Sequence, residues 1–509
     1  MARQVNGRAG QTLLEAMRSV FPNAAAPCGG AGRCGRCRVK VSGEGEPALA
    51  SVSGEEARLL GPEPVEAGWR LSCLARFVRD GRVGVEVEER AFFIPEGEGG
   101  AADTGPRDGY CLAVDIGTTT IACAAADASG GGVLARSAAA NRQRSFGPDV
   151  VSRIEHALRS PDRLAELRLV VRDQVGKLAG GLVRKAGNAR PERIHICGNT
   201  TMLHLWEGAD VLGLSRMPFH PAFLKSRESQ LKLDDGREWP CILLPCVSAF
   251  IGADISAGIV ATGLCDAADR PVLLVDIGTN GEIVLAADGG LLATATAAGP
   301  AFEGVTISCG IPAVDGAVDH VTFWDGRFSF TTLGDQPPAG ICGSGLLDLL
   351  ACLRRARLLD ENGGLNVPAD PAGVRAFALP SDPPLRITQA DVRQLQLAKG
   401  AIAAGIRVLC RRAGVALEDV ARLYLAGGFG SRMSSESALA VGLIPRELAG
   451  RIEVAGNTAL AGALMTARDP ASLERIVRVA PSVRVLDLSQ ETAFQDAFVD
   501  AMRFPALSG

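Results

Sequence analysis

The sequence predicts a small α+β domain that holds a metal cluster, followed by a much larger α/β unit built twice on one plan. Three observations carry this. Cys28, Cys34 and Cys37 crowd a single Gly-rich loop, and a fourth cysteine follows at Cys73. The run Leu112-Ala113-Val114-Asp115-Ile116-Gly117-Thr118-Thr119-Thr120 returns as Leu273-Leu274-Val275-Asp276-Ile277-Gly278-Thr279-Asn280-Gly281, with Glu282 next. Leu423-Tyr424-Leu425-Ala426 is an apolar strand that runs into the double-Gly turn Gly427-Gly428-Phe429-Gly430-Ser431.

The cysteine loop comes first in the chain. Thr12-Leu13-Leu14-Glu15-Ala16 is a short helix signal, and Pro27-Cys28-Gly29-Gly30-Ala31-Gly32-Arg33-Cys34-Gly35-Arg36-Cys37 follows with spacing C-x5-C-x2-C. Three thiolates in one glycine-rich loop and a distant fourth suit a 2Fe-2S cluster. Glycines let such a loop wrap the cluster and turn N–H groups toward its sulfurs. Zinc is the competing reading, but four-cysteine zinc sites favour two C-x2-C pairs, and only one occurs here. The segment resembles a plant- or adrenodoxin-type ferredoxin of β-grasp fold over residues 1–90. Such domains open with a β-hairpin, whereas only about ten residues precede Leu13, so the first strand is expected to be missing or abbreviated. Residues 91–109, acidic and rich in glycine, read as a linker. As a random coil, a stretch of that length reaches about 25 Å.

In each copy of the repeated phrase an apolar strand ends in an aspartate, then a Gly turn, then Thr and Asn side chains, and a second β-rich run follows (Ile121 to Ala126, Ile283 to Ala287). Glycine permits close approach of a ligand, and the turn's N–H and hydroxyl groups face it as donors. A carboxylate would repel a bare phosphate, so an aspartate at each tip argues for a cation, and Mg²⁺ is commonly held by one or two carboxylates, waters and phosphates. Either copy alone also reads as an ordinary hairpin; the matched pair argues for a clamp around a Mg–nucleotide. No Walker-type or dinucleotide glycine motif accompanies it.

The two turns resemble phosphate motifs 1 and 2 of the superfamily of acetate and sugar kinases, heat-shock cognates and actin, and Gly427-Gly428-Phe429-Gly430 resembles its adenosine motif. The fold so implied is an N-terminal β-grasp ferredoxin-like α+β domain followed by a duplicated α/β actin-like (ribonuclease H-like) ATPase domain. Its first half would take residues 110–268 and its second 269–509. The resemblance implies that Asp115, Asp276 and Glu282 do the catalytic work with Mg²⁺. Gly117, Thr118, Thr119, Thr120, Gly278, Thr279, Asn280 and Gly281 would hold phosphate, and Gly427, Gly428, Phe429 and Gly430 would flank the adenosine of ATP.

Further elements fall between these. Helices are expected over Asp149–Leu158, Asp162–Ala186 and Thr388–Ala413, and a buried strand at Ile194-His195-Ile196-Cys197 ends in Gly198-Asn199-Thr200-Thr201-Met202-Leu203-His204. His195 and His204 read as structural histidines rather than catalytic ones. Residues 215–246 read as loop-rich, 360–386 as surface loop, and 433–466 and 490–502 as helices. Gly252-Ala253-Asp254 reads as a helix start. Gly343 and Ser344, in Gly343-Ser344-Gly345, start another helix whose N–H groups could face a nucleotide; close packing of the helix start is the equal alternative.

Bulk properties exclude several classes. At 509 residues the chain should hold two to four domains, and 47% apolar residues are ample for their cores. A net charge of −4 gives no general reason to expect nucleic acid or an anionic membrane surface. Charge, Gly or Pro breaks every apolar run before it could span a bilayer, so no membrane contact is expected and the protein reads as cytoplasmic. Fourteen cysteines are too few for a disulfide scaffold.

A cluster domain fused to a duplicated ATPase resembles the ATP-dependent reductive activators of corrinoid proteins. Pro27-Cys28-Gly29-Gly30, Gly198-Asn199-Thr200-Thr201-Met202, Gly299-Pro300-Ala301-Phe302-Glu303-Gly304, Ala426-Gly427-Gly428-Phe429-Gly430 and Ala501-Met502-Arg503-Phe504-Pro505 carry the resemblance. Relatives often place a further middle region before the ATPase, and only the linker is expected in that place here. The family's activity implies one-electron transfer from the cluster, bound by Cys28, Cys34, Cys37 and Cys73, to an inactive Co(II) corrinoid protein of a methyltransferase system. A low-potential donor would supply the electron, and a homodimer is compatible with the family. A ferredoxin-type cluster near −400 mV is too weak for Co(I) by an assumed ~0.1–0.2 V, roughly 2–5 kcal/mol, which ATP would offset. A small-molecule kinase of the same superfamily leaves the four cysteines unexplained. A nucleotide-gated redox sensor without turnover is the other alternative.

Overall fold

The computed structural model describes residues 2–18, 20–21, 30, 32, 35, 37–42, 48–87, 109–266, 270–371, 373–427 and 433–507. Cys28, Cys34, Gly428, Phe429, Gly430 and nearly all of the expected linker therefore lie outside the described residues. The chain divides into two compact units, residues 1–91 with 140–171, and residues 92–139 with 172–509.

The first unit begins with β1 (Arg3–Gly7) and α1 (Leu13–Met17), then β2 (Arg38–Ser42), α2 (Gly54–Leu60), α3 (Pro62–Glu66), β3 (Trp69–Leu71) and β4 (Gly81–Glu86). Helix α1 starts where the sequence says it should, because Thr12 and Glu15 cap each other reciprocally. The sheet order is β1-β4-β2-β3. The expectation of a missing or abbreviated first strand is met in part: among the described residues a single strand, β1, precedes α1 in place of a hairpin, and it pairs antiparallel with β4, Val5 opposite Val83. Val5, Leu13, Met17, Val39, Phe77 and Val85 form the core beneath α1. The same unit takes in α4 (Val150–Leu158) and the start of α5 (Pro161–Lys185). Arg18, at the end of α1, stacks on the Phe146 ring at 4.0 Å, donates to the Ser145 carbonyl at 3.0 Å and lies 3.9 Å from Glu166.

The second unit holds two six-stranded sheets. The first comprises β5 (Tyr110–Ile116), β6 (Thr120–Asp127), β7 (Val133–Ala140), β8 (Arg193–Gly198), β9 (Arg227–Lys232) and β10 (Glu238–Leu243), in the order β7-β6-β5-β8-β10-β9. Helices α6 (Thr200–Glu207) and α7 (Ala253–Ala261) follow β8 and β10. The second sheet uses β11 (Val272–Ile277), β12 (Gly281–Ala287) and β13 (Gly290–Thr296), to which later strands add. After them come β14 (Ala317–Trp324), β15 (Arg327–Thr332), β16 (Gly340–Ile341), α8 (Gly343–Arg355), β17 (Ala376–Leu379), β18 (Leu385–Thr388) and α9 (Gln389–Arg412). The chain closes with β19 (Arg422–Ala426), α10 (Ser435–Val441), β20 (Ile452–Gly456), α11 (Thr458–Arg468), α12 (Pro470–Val479), β21 (Arg484–Val485) and α13 (Thr492–Met502).

Read outward from β5 and from β11, the two sheets match. Each first strand pairs antiparallel with the next in sequence and parallel with a later strand on its other side: β5 with β6 and β8, β11 with β12 and β19. The order is then β7-β6-β5-β8-β10 in one and β13-β12-β11-β19-β20 in the other. Both first strands are buried on both faces apart from their aspartates and Val272, as strands covered by helices must be.

Three expectations fail locally. The stretch 215–246 contains the β9–β10 hairpin, Cys241 opposite Ser229. The stretch 360–386 contributes β17 and part of β18. Strand β20 interrupts the helices expected over 433–466, because its half-exposed residues carry no clean apolar run. Among the described residues, no helix is long and apolar enough to cross a membrane.

Candidate functional site

Asp115 and Asp276 occupy equivalent places near the carboxyl ends of β5 and β11, the edge at which open α/β sheets receive ligands. Gly117 and Gly427 leave no room for a side chain, whereas a Cβ at Gly278 would meet only the Asn280 oxygen, at 3.8 Å. A Cβ at Gly117 would lie 2.5 Å from the Thr120 carbonyl oxygen. At Gly427, where β19 meets its turn, φ is +111° and a Cβ would stand 2.2 Å from the Ile277 oxygen. The adenosine-type turn thus begins directly against the end of β11.

The two phosphate-type turns meet each other. Thr119 and Thr279 lie 3.4 Å apart through their hydroxyls, and both donate to Glu303 Oε2, at 2.7 and 2.8 Å. Thr118 accepts the Asn199 amide at 2.8 Å, while Asn199 caps α6 by accepting from Met202 N. Asn457 does the same for α11: its oxygen accepts from Leu460 N at 2.8 Å and its amide donates to Asp115 at 2.9 Å. Two helix-capping asparagines therefore each spend the other end of the amide on the first Asp-Gly-Thr turn.

Four carboxylates gather behind these turns, and burial raises the pKa of each. Asp115 moves from 3.8 to about 6, chiefly through burial, with the Asn457 hydrogen bond opposing. Asp254, at the start of α7, rises to about 7 through burial and the charge of Asp115. Asp276 rises to about 8 through burial, Asp254 and Asp115. Glu282, directly opposite Asp276 in the β11–β12 ladder, is pushed well up by burial, Asp254 and Asp276. Like charges facing each other across a ladder destabilise a sheet, and a cation removes that penalty. Among the described residues no three His, Cys, Asp or Glu side chains are arranged to ligate one metal ion directly. Mg²⁺ keeps several of its waters and is commonly held by only one or two carboxylates.

The remaining expected residues are placed as follows. Thr120 opens β6, Gly281 opens β12, and Gly278 and Asn280 form the second turn. Gly343 and Ser344 are buried at the start of α8, where the Ser344 hydroxyl donates to the Asp319 carbonyl at 2.8 Å and a Cβ at Gly345 would press on Val318 O at 2.3 Å. His195 bonds Thr466 at 2.9 Å, and His204 bonds the Thr200 carbonyl and stacks on Phe223; both are structural. Sequence reasoning missed Asp254, Glu303 and Asn457 as site residues. Asp254 had read as a helix start and Glu303 as part of a glycine-rich motif, and nothing near Asn457 signals its reach to Asp115.

In the first unit, Cys37 and Cys73 are buried with their Sγ atoms 3.1 Å apart, walled by Leu14, Leu60 and Leu71. Gly30, Gly32 and Gly35 of the cysteine loop all have positive φ. Converging thiols, an apolar wall and left-handed glycines fit a 2Fe-2S cluster.

The matched sheets and the hydroxyls meeting at one carboxylate define a duplicated actin-like phosphate-binding unit, carried behind a ferredoxin-type domain. Comparison agrees. Residues 2–78 match the 2Fe-2S iron-sulfur cluster binding domain, residues 110–267 the RACo middle region, and residues 270–508 the C-terminal domain of RACo, the ASKHA domain. A solved structure named reductive activator for corrinoid, iron-sulfur protein superposes with TM-score 0.71 at 27% identity, covering 98% of this chain and 96% of that one. The corrinoid activation enzyme RamQ of Eubacterium limosum is 30% identical over 70% of this chain and 63% of its own length. The Co(II) methylated amine-specific corrinoid protein reductase of Methanosarcina barkeri is 26% identical over 60% of this chain and 61% of its own. The chain thus spans about three fifths of the curated relatives it matches. The chain belongs to the RACo family, whose two models together take in residues 110–267 and 270–508. One expectation is corrected: the middle region is present, as residues 110–267.

Proposed function

We propose that the protein reduces an inactive Co(II) corrinoid protein to Co(I) by one electron, at the expense of ATP. The observation that carries this is the joining, in one chain, of the Cys37–Cys73 thiol pair to the Thr119–Glu303–Thr279 meeting of two phosphate-type turns. A kinase has no use for the first, and a simple ferredoxin none for the second.

In this reading residues 1–90 form the cluster domain, 91–109 the linker, and 110–268 and 269–509 the two halves of the ATPase. Cys28, Cys34, Cys37 and Cys73 hold the 2Fe-2S cluster, which supplies single electrons delivered by a low-potential donor. Asp115 and Asp276 organise Mg²⁺ through its waters, with Glu282 and Asp254 setting the field around them. Gly117, Thr118, Thr119, Thr120, Gly278, Thr279, Asn280 and Gly281 cradle phosphate. Gly427, Gly428, Phe429 and Gly430 flank the adenosine. Nucleotide binding stabilises one arrangement of the two turns over another, and that differential affinity is what ATP contributes to an uphill reduction.

The test is to follow Co(II) reduction of a purified corrinoid protein by its absorption spectrum, with reductant and with or without MgATP. Reduction that depends on MgATP and is lost in Cys73→Ser supports the reading. Equal reduction without nucleotide sinks it.

A further inference from the structure

We propose that Glu303 competes with nucleotide phosphate for the Thr119 and Thr279 hydroxyl protons, so that phosphate engages both turns only as Glu303 lets them go. This rests on the reading of those turns as a phosphate site.

A threonine hydroxyl has one proton to donate. Both protons here are given to the same carboxylate oxygen, at 2.7 and 2.8 Å. A phosphate oxygen at either hydroxyl must take the proton that Glu303 holds, and two anions brought to one pair of donors repel each other. Glu303 thereby stands where a phosphate oxygen would stand, and it fastens the first turn to the second. It does so from a fixed base. Phe302 on one side is buried in the core of the second half. Gly304 on the other has φ +73° and is pressed against the backbone of Gly310 and Ile311, leaving 2.7 Å for a Cβ. The bonds Gly304 N to Ala301 O and Val305 N to Pro300 O close the turn that presents it. Exchange of the carboxylate for phosphate therefore converts a strap between the turns into a ligand shared by them.

Titration calorimetry of the full-length protein with MgADP, with the Mg²⁺ complex of the imido analogue of ATP, and with adenosine tests the idea. Glu303→Ala should bind the two phosphate-bearing ligands about tenfold more tightly than wild type, the equivalent of one charge-assisted hydrogen bond no longer displaced. Glu303→Gln keeps the shape but loses the charge, and should show a smaller gain in the same direction. Adenosine affinity should not change. Melting curves accompany each variant, and if the alanine form does not fold the glutamine form decides. Weaker or unchanged binding of the phosphate ligands by both variants, with wild type binding normally, overturns the competition. An equal gain for adenosine also overturns it, because it would signal general loosening. If wild type binds no nucleotide at all, the phosphate-site reading itself fails.

Discussion

Asn457 meets Asp115 from 342 positions further along the chain: its amide nitrogen lies 2.9 Å from the carboxylate of the first turn while its oxygen caps α11. One side chain therefore ties the start of a late helix to the aspartate of an early strand. It is also the hydrogen bond that opposes the upward pull of burial on the Asp115 pKa.

The two jobs of Asn457 separate by mutation. Asn457→Ala should lose about 1 kcal/mol of stability from the missing cap and also slow ATP hydrolysis. Asn457→Ser can cap the helix but is too short to bond Asp115 as well. It should melt close to wild type yet hydrolyse ATP slowly. A serine variant with full activity would show that the contact to Asp115 is idle.

Asp276→Asn should cut ATP hydrolysis by about a hundredfold, ~2.7 kcal/mol of barrier, and leave the visible spectrum of the cluster unchanged. The same substitution should stabilise the metal-free protein. The folded pKa of Asp276 is raised from 3.8 to about 8, so its ionisation withdraws stability as pH climbs through that window. In EDTA the variant should melt above wild type near pH 8, with the difference vanishing near pH 4. A constant difference across that range would contradict the assignment.

Iron and sulfide analysis of anaerobically purified protein should find about two of each per chain. Cys28→Ser, Cys34→Ser, Cys37→Ser and Cys73→Ser should each remove or alter the cluster spectrum. Cys241→Ser should not, because burial pushes that thiol up to about 12 and it sits against Ser229 in the β9–β10 hairpin. Zinc without iron would overturn the cluster.

Lys399 is fully buried in α9 and donates to the carbonyls of Ala501 and Arg503, at 2.5 and 2.7 Å, pinning the end of the chain. Burial and the nearby Arg354 lower its pKa from 10.5 to about 7. Between those values the unfolded chain binds the proton more readily, so the lysine's contribution to stability improves as pH rises from about 7 toward 10. Lys399→Met should cost about 1–3 kcal/mol, and its deficit against wild type should widen over that pH range in urea unfolding.

The contacts of Arg18 with Phe146, Ser145 and Glu166 lie within one compact unit. Hydrogen exchange should therefore be slow across 142–158 in wild type and faster in Arg18→Ala. Identical exchange in the two would favour a cluster domain that is merely tethered.

Much of this was legible in the chain itself. Local chemistry announced the short helix at Thr12–Ala16, the long helix from Thr388 and the repeated strand-Asp-Gly turns, because each is a short-range requirement written in adjacent residues. Strand β1 was hidden because Arg3–Gly7 is a mostly exposed edge strand with few apolar residues to mark it. Strand β20 was hidden because Ile452–Gly456 is a short edge strand, largely uncovered, lying between two helices. What only the tertiary structure decided is the company the turns keep. Asp254 reaches the aspartates from a helix, Glu303 joins Thr119 to Thr279, and Asn457 meets Asp115 from a cap 342 positions away. A carboxylate's role depends on which donors and charges surround it, and those neighbours are set by the pairing of β5 with β8 and of β11 with β19, contacts that no local pattern encodes.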